Sequence, residues 1–151
     1  RSSDLLGTRE PHIYGADTLA DVERHFAAEA VRLVAAGQRI VVLAGLGAVE
    51  ADAGPACRAL AQKVGGLLAT TLPARGLFHD DPFCIGISGS FTPEAGLDLL
   101  KQADLVVAVG CSLAYHAGGG GQLWPQAQTL QMPSSGDHCP RSPLPHVATR
   151  R

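Results

Sequence analysis

The sequence predicts an α/β fold, an open parallel sheet with helices on both faces. Three observations carry that expectation. Ile40-Val41-Val42-Leu43-Ala44 is apolar throughout and runs straight into Gly45-Leu46-Gly47, and Leu105–Val109 repeats the pattern and ends at Gly110. Such runs, bounded by turn residues, belong to strands buried on both faces, which is the situation of a parallel sheet. The apolar runs also alternate with stretches of helical periodicity, at spacings that suit right-handed βαβ crossovers.

In chain order, residues 1–16 are polar and broken by Pro11 and Gly15, and read as a linker. Thr18, with Asp17 as a rival cap, opens a helix whose apolar face is Leu19, Val22, Phe26, Ala30, Leu33 and Val34, and Gly37 ends it. The strand 40–44 follows. Pro55 then sits in the first turn of a second helix, with Cys57, Leu60, Ala61 and Val64 as its inner stripe and Gly65-Gly66 as its stop. Leu67–Thr71 reads as the second strand, residues 72–82 as a long loop, and Phe83–Ile87 as the third strand. Thr92, Pro93 and Glu94 supply a cap, a first-turn proline and a first-turn acid for a helix to about Ala103. After the strand 105–109 comes a glycine run, Gly118–Gly121, and Thr129–Met132 is the fifth strand. From Pro133 to Arg151, Pro, Ser, His and Arg dominate and periodicity is lost, which predicts a disordered tail.

Composition narrows the function classes. The chain has 151 residues, 46% of them apolar, and a net charge of -2. That is one domain with a real core, and a charge balance that argues against nucleic acid and anionic membrane as partners. No apolar stretch is long enough to span a bilayer, and no charged-then-apolar leader opens the chain. Cys57, Cys84, Cys111 and Cys139 lie far apart without a C-x-x-C pair, so reduced thiols in a cytoplasmic protein are expected rather than disulfides or a zinc site.

Ligands of open parallel sheets gather at the carboxyl ends of the strands. Those ends carry Gly45-Leu46-Gly47, Thr70-Thr71, Gly86–Gly89 and Gly110-Cys111-Ser112. Exposed amides there would suit a phosphate or diphosphate, while the plainer reading is that the glycines only turn strands into helices. Residues 45–50 read G-x-G-x-x-E, without the third glycine of the dinucleotide fingerprint, and Gly65–Thr71 offers no ribose-binding acid. Gly86-Ile87-Ser88-Gly89-Ser90 falls one glycine short of a nucleophile elbow. Arg75 suits a phosphate or a surface ion pair, and His79-Asp80-Asp81 reads as a solvated turn. His116 reads as a loop residue, and Asp137-His138-Cys139 lacks the further ligands a metal needs.

Four segments together, in order and spacing, resemble the central domain of thiamine-diphosphate-dependent enzymes of the acetolactate synthase and 2-keto acid decarboxylase superfamily. They are residues 42–48, residues 69–78 (Ala-Thr-Thr-Leu-Pro-Ala-Arg-Gly-Leu-Phe), residues 85–89 and residues 103–113. The resemblance implies a Rossmann-like domain over residues 17–132. It places the ring-activating glutamate and the magnesium–diphosphate site on two other domains of the parent enzyme. Here Gly136-Asp137 is followed by His138 rather than Gly, and the chain contains no Asn. It therefore implies no catalytic and no metal-binding residue in this chain, and no activity from it alone. Thiamine diphosphate and Mg2+ would belong to the parent, a homo-oligomer (dimer or tetramer). In that superfamily the central domain binds FAD, ADP or nothing. Carried over, a nucleotide site would use Gly45, Gly47, Thr70, Thr71, Gly86, Gly89, Gly110 and Ser112.

The chain departs from FAD-binding relatives in Ser88, where they often have His, and in Leu113-Ala114-Tyr115-His116-Ala117, where they have Arg-Phe-Asp-Asp-Arg. Gln131-Met132-Pro133-Ser134 replaces their acidic Ile-Asp-x-Asp segment, which leads us to expect C-terminal truncation of the sheet. A free-standing ADP- or FAD-binding module and a non-functional fragment are the alternatives.

Overall fold

The computed structural model describes residues 19–113, 115–119, 122–132 and 146–148. The expected linker, the cap at Thr18 and the Asp137-His138-Cys139 triplet lie outside them. The elements in order are α1 (Leu19–Ala36), β1 (Ile40–Ala44), α2 (Leu46–Glu50), α3 (Gly54–Val64), β2 (Leu67–Thr70), a 3-10 turn (Leu72–Ala74), β3 (Cys84–Ile87), α4 (Glu94–Gln102), β4 (Leu105–Val109), α5 (Tyr115–Gly118), β5 (Gln128–Met132) and β6 (His146–Ala148).

They form one sheet in the order β3-β2-β1-β4-β5-β6. The first five strands are parallel, with Ala44 opposite both Thr70 and Val109. This is the expected Rossmann-like arrangement. The sixth strand differs: β6 runs antiparallel to β5, with Leu130 opposite Val147, inside the stretch assigned to a tail. Three residues are too short to show a period of two. Their pairing answers the open backbone groups of β5, a tertiary demand that composition does not reveal.

Alternation along the central strands sorts the core into two layers. On one face Val41, Leu43, Val106 and Ala108 pack with Leu100 of α4 and with Ala117, Trp124 and Ala127. On the other, Val42 and Ala44 meet Cys57 and Ala61 of α3 and the buried ring of Phe78. Leu33 of α1 covers Ile40, Leu105, Val107 and Leu130 on that same side.

The helix with Pro55 in its first turn is present as expected, as α3 from Gly54; a five-residue helix, α2, and a turn at Asp52 with φ 51° come before it. One local expectation is corrected. Thr92 is not the cap of α4: the capping position is Pro93, which offers no side-chain cap, and the helix begins at Glu94. The Thr92 hydroxyl instead donates to Gly89 O and accepts from Gly89 N–H, both at 2.7 Å, and so closes the turn behind β3.

At the amino edge of the sheet, Asp104 gathers three approaching segments. Its carboxylate accepts the N–H groups of Gln38 at 2.9 Å and Arg39 at 3.1 Å. Its own N–H donates to Arg39 O, and its carbonyl accepts from Gln128 N–H, each at 3.0 Å. The Trp124 ring lies 4% exposed, with Nε1–H donating to Thr129 Oγ1 at 3.1 Å. Trp124→Ala should therefore cost about 3–5 kcal/mol of unfolding free energy, read by far-UV circular dichroism in urea. A loss under about 1 kcal/mol would mean that the ring does not fill this layer.

Candidate functional site

The eight residues named for a nucleotide site all lie toward the carboxyl edge of the parallel strands, within β2, β3 and α2 or in the turns that follow β1 to β4. The backbones of Gly45, Gly47, Thr70, Thr71, Gly89 and Gly110 are already engaged. One row of hydrogen bonds crosses the edge: Ser88 N–H to Thr70 O at 2.7 Å, Thr71 N–H to Ala44 O at 2.9 Å, Gly45 N–H to Val109 O at 2.9 Å and Gly110 N–H to Met132 O at 2.8 Å. Gly47 N–H donates to Gly110 O at 3.0 Å, and Gly89 N–H is held by Thr92. The row continues the sheet's ladder one residue past each strand.

Close approach explains the glycines at its centre. A Cβ on Gly45 would collide with Gly110 O and lie 2.7 Å from Cys111 Cα. A Cβ on Gly110 would collide with Ala48 N and lie 2.8 Å from Gly47 Cα, and Gly110 also turns at φ 59°. These positions join β1 to β4.

Of the remaining side chains, Thr70 and Thr71 are buried beside β1, Gly86 lies within β3 against Pro93, and Ser112 is exposed. Ser88, the near-elbow serine, is 2% exposed and donates its hydroxyl to Ala117 O at 2.7 Å, so it is a tether and not a nucleophile. Arg75 is exposed and donates to Leu72 O at 3.3 Å. The Cys111 carbonyl accepts from Gln131 Nε2 at 2.8 Å.

A charged cluster that sequence reading missed sits below this edge. Arg58 of α3 donates to Asp80 Oδ1 at 2.5 Å, to Asp81 Oδ2 at 3.1 Å and to Leu77 O at 3.1 Å. Its guanidinium also stacks 5.3 Å from the centre of the Phe78 ring. Asp81 Oδ1 accepts from Phe83 N–H at 2.9 Å. The His79-Asp80-Asp81 stretch is therefore clamped to α3, not merely solvated. The partner lies 22 positions earlier for Asp80, and no local pattern points to it. The hydrogen bond from Arg58 holds the Asp80 carboxyl below the usual carboxylate range, helped by its own backbone N–H.

Residues 27–148 match the family described as thiamine pyrophosphate enzyme, central domain. The chain belongs to that family. The probable acetolactate synthase large subunit of Methanocaldococcus jannaschii is 32% identical over 84 residues, 55% of this chain and 14% of that protein. The acetolactate synthase of Mycobacterium bovis is 35% identical over 83 residues, 54% of this chain and 13% of that protein. The acetolactate synthase large subunit of Corynebacterium glutamicum is 31% identical over the same length and shares. The chain thus spans about a seventh of the length of these relatives. A shorter likeness, 67% over 30 residues, joins it to the catabolic 3-dehydroquinase of Aspergillus oryzae, a fifth of each chain. That share shows no second family.

The family implies thiamine diphosphate. The described residues of this thiamine-enzyme central domain do not fit it with a metal: they contain no group of three or more His, Cys, Asp or Glu placed to hold an ion. No step of catalysis is therefore assigned to them.

Two outcomes are expected. Gly110→Ala should lose more than about 4 kcal/mol of stability, because a crowded backbone adds to the cost of positive φ. Gly76→Ala, at φ 87° with open space around the added carbon, should lose only about 1–3 kcal/mol. Equal losses in chemical denaturation would remove the crowding argument. For the clamp, a folded-state pKa below the unfolded one gives stability that is complete above about pH 4 and is lost as pH falls through the folded value. Amide exchange in residues 77–83, taken relative to the unstructured-chain rate at each pH, should accordingly rise in acid for the wild type. In Arg58→Gln it should already be fast at neutral pH, and an unchanged rate there would count against the clamp.

Proposed function

We propose that this chain is the structural central domain of a thiamine-diphosphate- and magnesium-dependent enzyme that decarboxylates a 2-keto acid, with or without carboligation, as an acetolactate synthase does. The observation that carries the proposal is the family match over residues 27–148, together with acetolactate synthases as relatives. The cofactor, its metal and the ring-activating acid then belong to other domains, in keeping with relatives of which this chain matches about a seventh.

Those domains, in a homo-oligomeric parent (dimer or tetramer), are the partners we propose, in a cytoplasmic setting. Among the described residues no helix is long and apolar enough to cross a membrane. Leu46 and Val49 of α2 and Leu72 of the adjoining 3-10 turn stand 39%, 42% and 42% exposed, apolar surface of the kind that an inter-domain contact covers. A free-standing FAD- or ADP-binding module is not favoured, because the amides of Gly45, Gly47, Thr71, Gly89 and Gly110 are engaged within the chain.

The purified chain, shown to be folded by a cooperative thermal melt, should release no CO2 from pyruvate in the presence of thiamine diphosphate and Mg2+. Sustained turnover would end the reading of this chain as a scaffold.

A further inference from the structure

Strand order marks where a ligand of this fold would be sought. From β1 the chain builds outward to β2 and β3, and from β4 it builds the other way to β5. The reversal falls between β1 and β4, and in open α/β sheets the crevice outside the strand ends at such a point receives the nucleotide. We infer that in this protein the crevice is closed by the chain's own backbone, and that it excludes the diphosphate of FAD or ADP.

A diphosphate at strand ends is held by several N–H groups that converge on it and have no other partner. Here the two sides of the crevice bond to each other. Gly45 N–H takes Val109 O, Gly47 N–H takes Gly110 O, and Ala48 N–H turns back to Gly45 O at 3.0 Å. Gly110 N–H is spent on Met132 O, and Thr71 and Ser88 are spent on Ala44 and Thr70. The two turns also touch: a single added carbon on Gly45 or Gly110 would overlap the opposite turn, so no group of a ligand passes between them. The helix behind the turn has only five residues, too short to present a sizeable dipole to an anion.

The inference deepens the central-domain reading and rests on it only for the choice of nucleotides to try. The test uses the isotope-labelled full chain, with residue-resolved amide exchange measured alone and with FAD or ADP, beside calorimetric titration. The Gly45, Gly47 and Gly110 amides should be protected without nucleotide and unchanged with it, and no heat of binding should appear up to about 1 mM ligand. Binding that leaves those amides unchanged would place the nucleotide elsewhere and uphold the closed crevice. Two results would overturn the inference: fast exchange of these amides in the free chain, or binding that alters their protection. Turnover of pyruvate by the chain would undo the domain reading yet leave the protection pattern untouched, so the two failures are distinguishable.

Discussion

The backbone contact between the turn after β1 and the turn after β4 is the constraint on which the rest of the sheet depends. These two strands form its centre, apolar on both faces and almost wholly buried. Their side chains supply burial but little that fixes where the strands end. The missing Cβ atoms at Gly45 and Gly110 let the two turns approach, and the ladder then runs on through Gly45 to Val109 and Gly47 to Gly110. From that pair the same row spreads outward to β5 through Gly110 and to β3 through Thr71 and Ser88. Every N–H group in the row is paired within the protein, which is what burial of a sheet edge demands.

Side chains secure the two edges by different means. At the amino edge the Asp104 carboxylate takes two backbone amides that lead into β1, while its own peptide group joins Arg39 and Gln128. One acid thus sets the approach of three strands. On the carboxyl side, the long connection between β2 and β3 would be loose by its length alone. Arg58 ties it to α3 through two carboxylates and a carbonyl, and Phe78 anchors it in the core with no exposed surface. The ion pairs are partly solvated, so their value lies in fixing the loop's path rather than in large stabilisation.

What was legible in the sequence was what local pattern determines. The apolar runs at 40–44 and 105–109, the inner stripe of α3 and the stops at Gly37 and Gly65 appear where periodicity puts them. The expected site residues do share one edge, because strand ends in a parallel sheet must. Long-range pairings were not legible. Nothing near Arg58 announces Asp80, nothing near Asp104 announces Gln38, and His146–Ala148 shows no alternation to announce a strand. Thr92 was misread for a related reason. A threonine before a helix serves equally well as its cap or as the lock of the preceding turn, and only the neighbouring Gly89 decides.

The same ambiguity governs the glycines. A glycine after a parallel strand is required when a phosphate must reach the backbone, and equally when another strand's turn must reach it. Both needs select the same residue, so the letter alone cannot separate them. The distinction lies in what occupies the space where a side chain would be. At Gly45 and Gly110 that space holds protein backbone, and the nearby amides point into it. A sheet whose switch point is filled in this way has exchanged a ligand's contacts for its own. Beside the closed turn, Leu46, Val49 and Leu72 stand partly exposed, so the apolar surface left near this edge is side chain and not backbone.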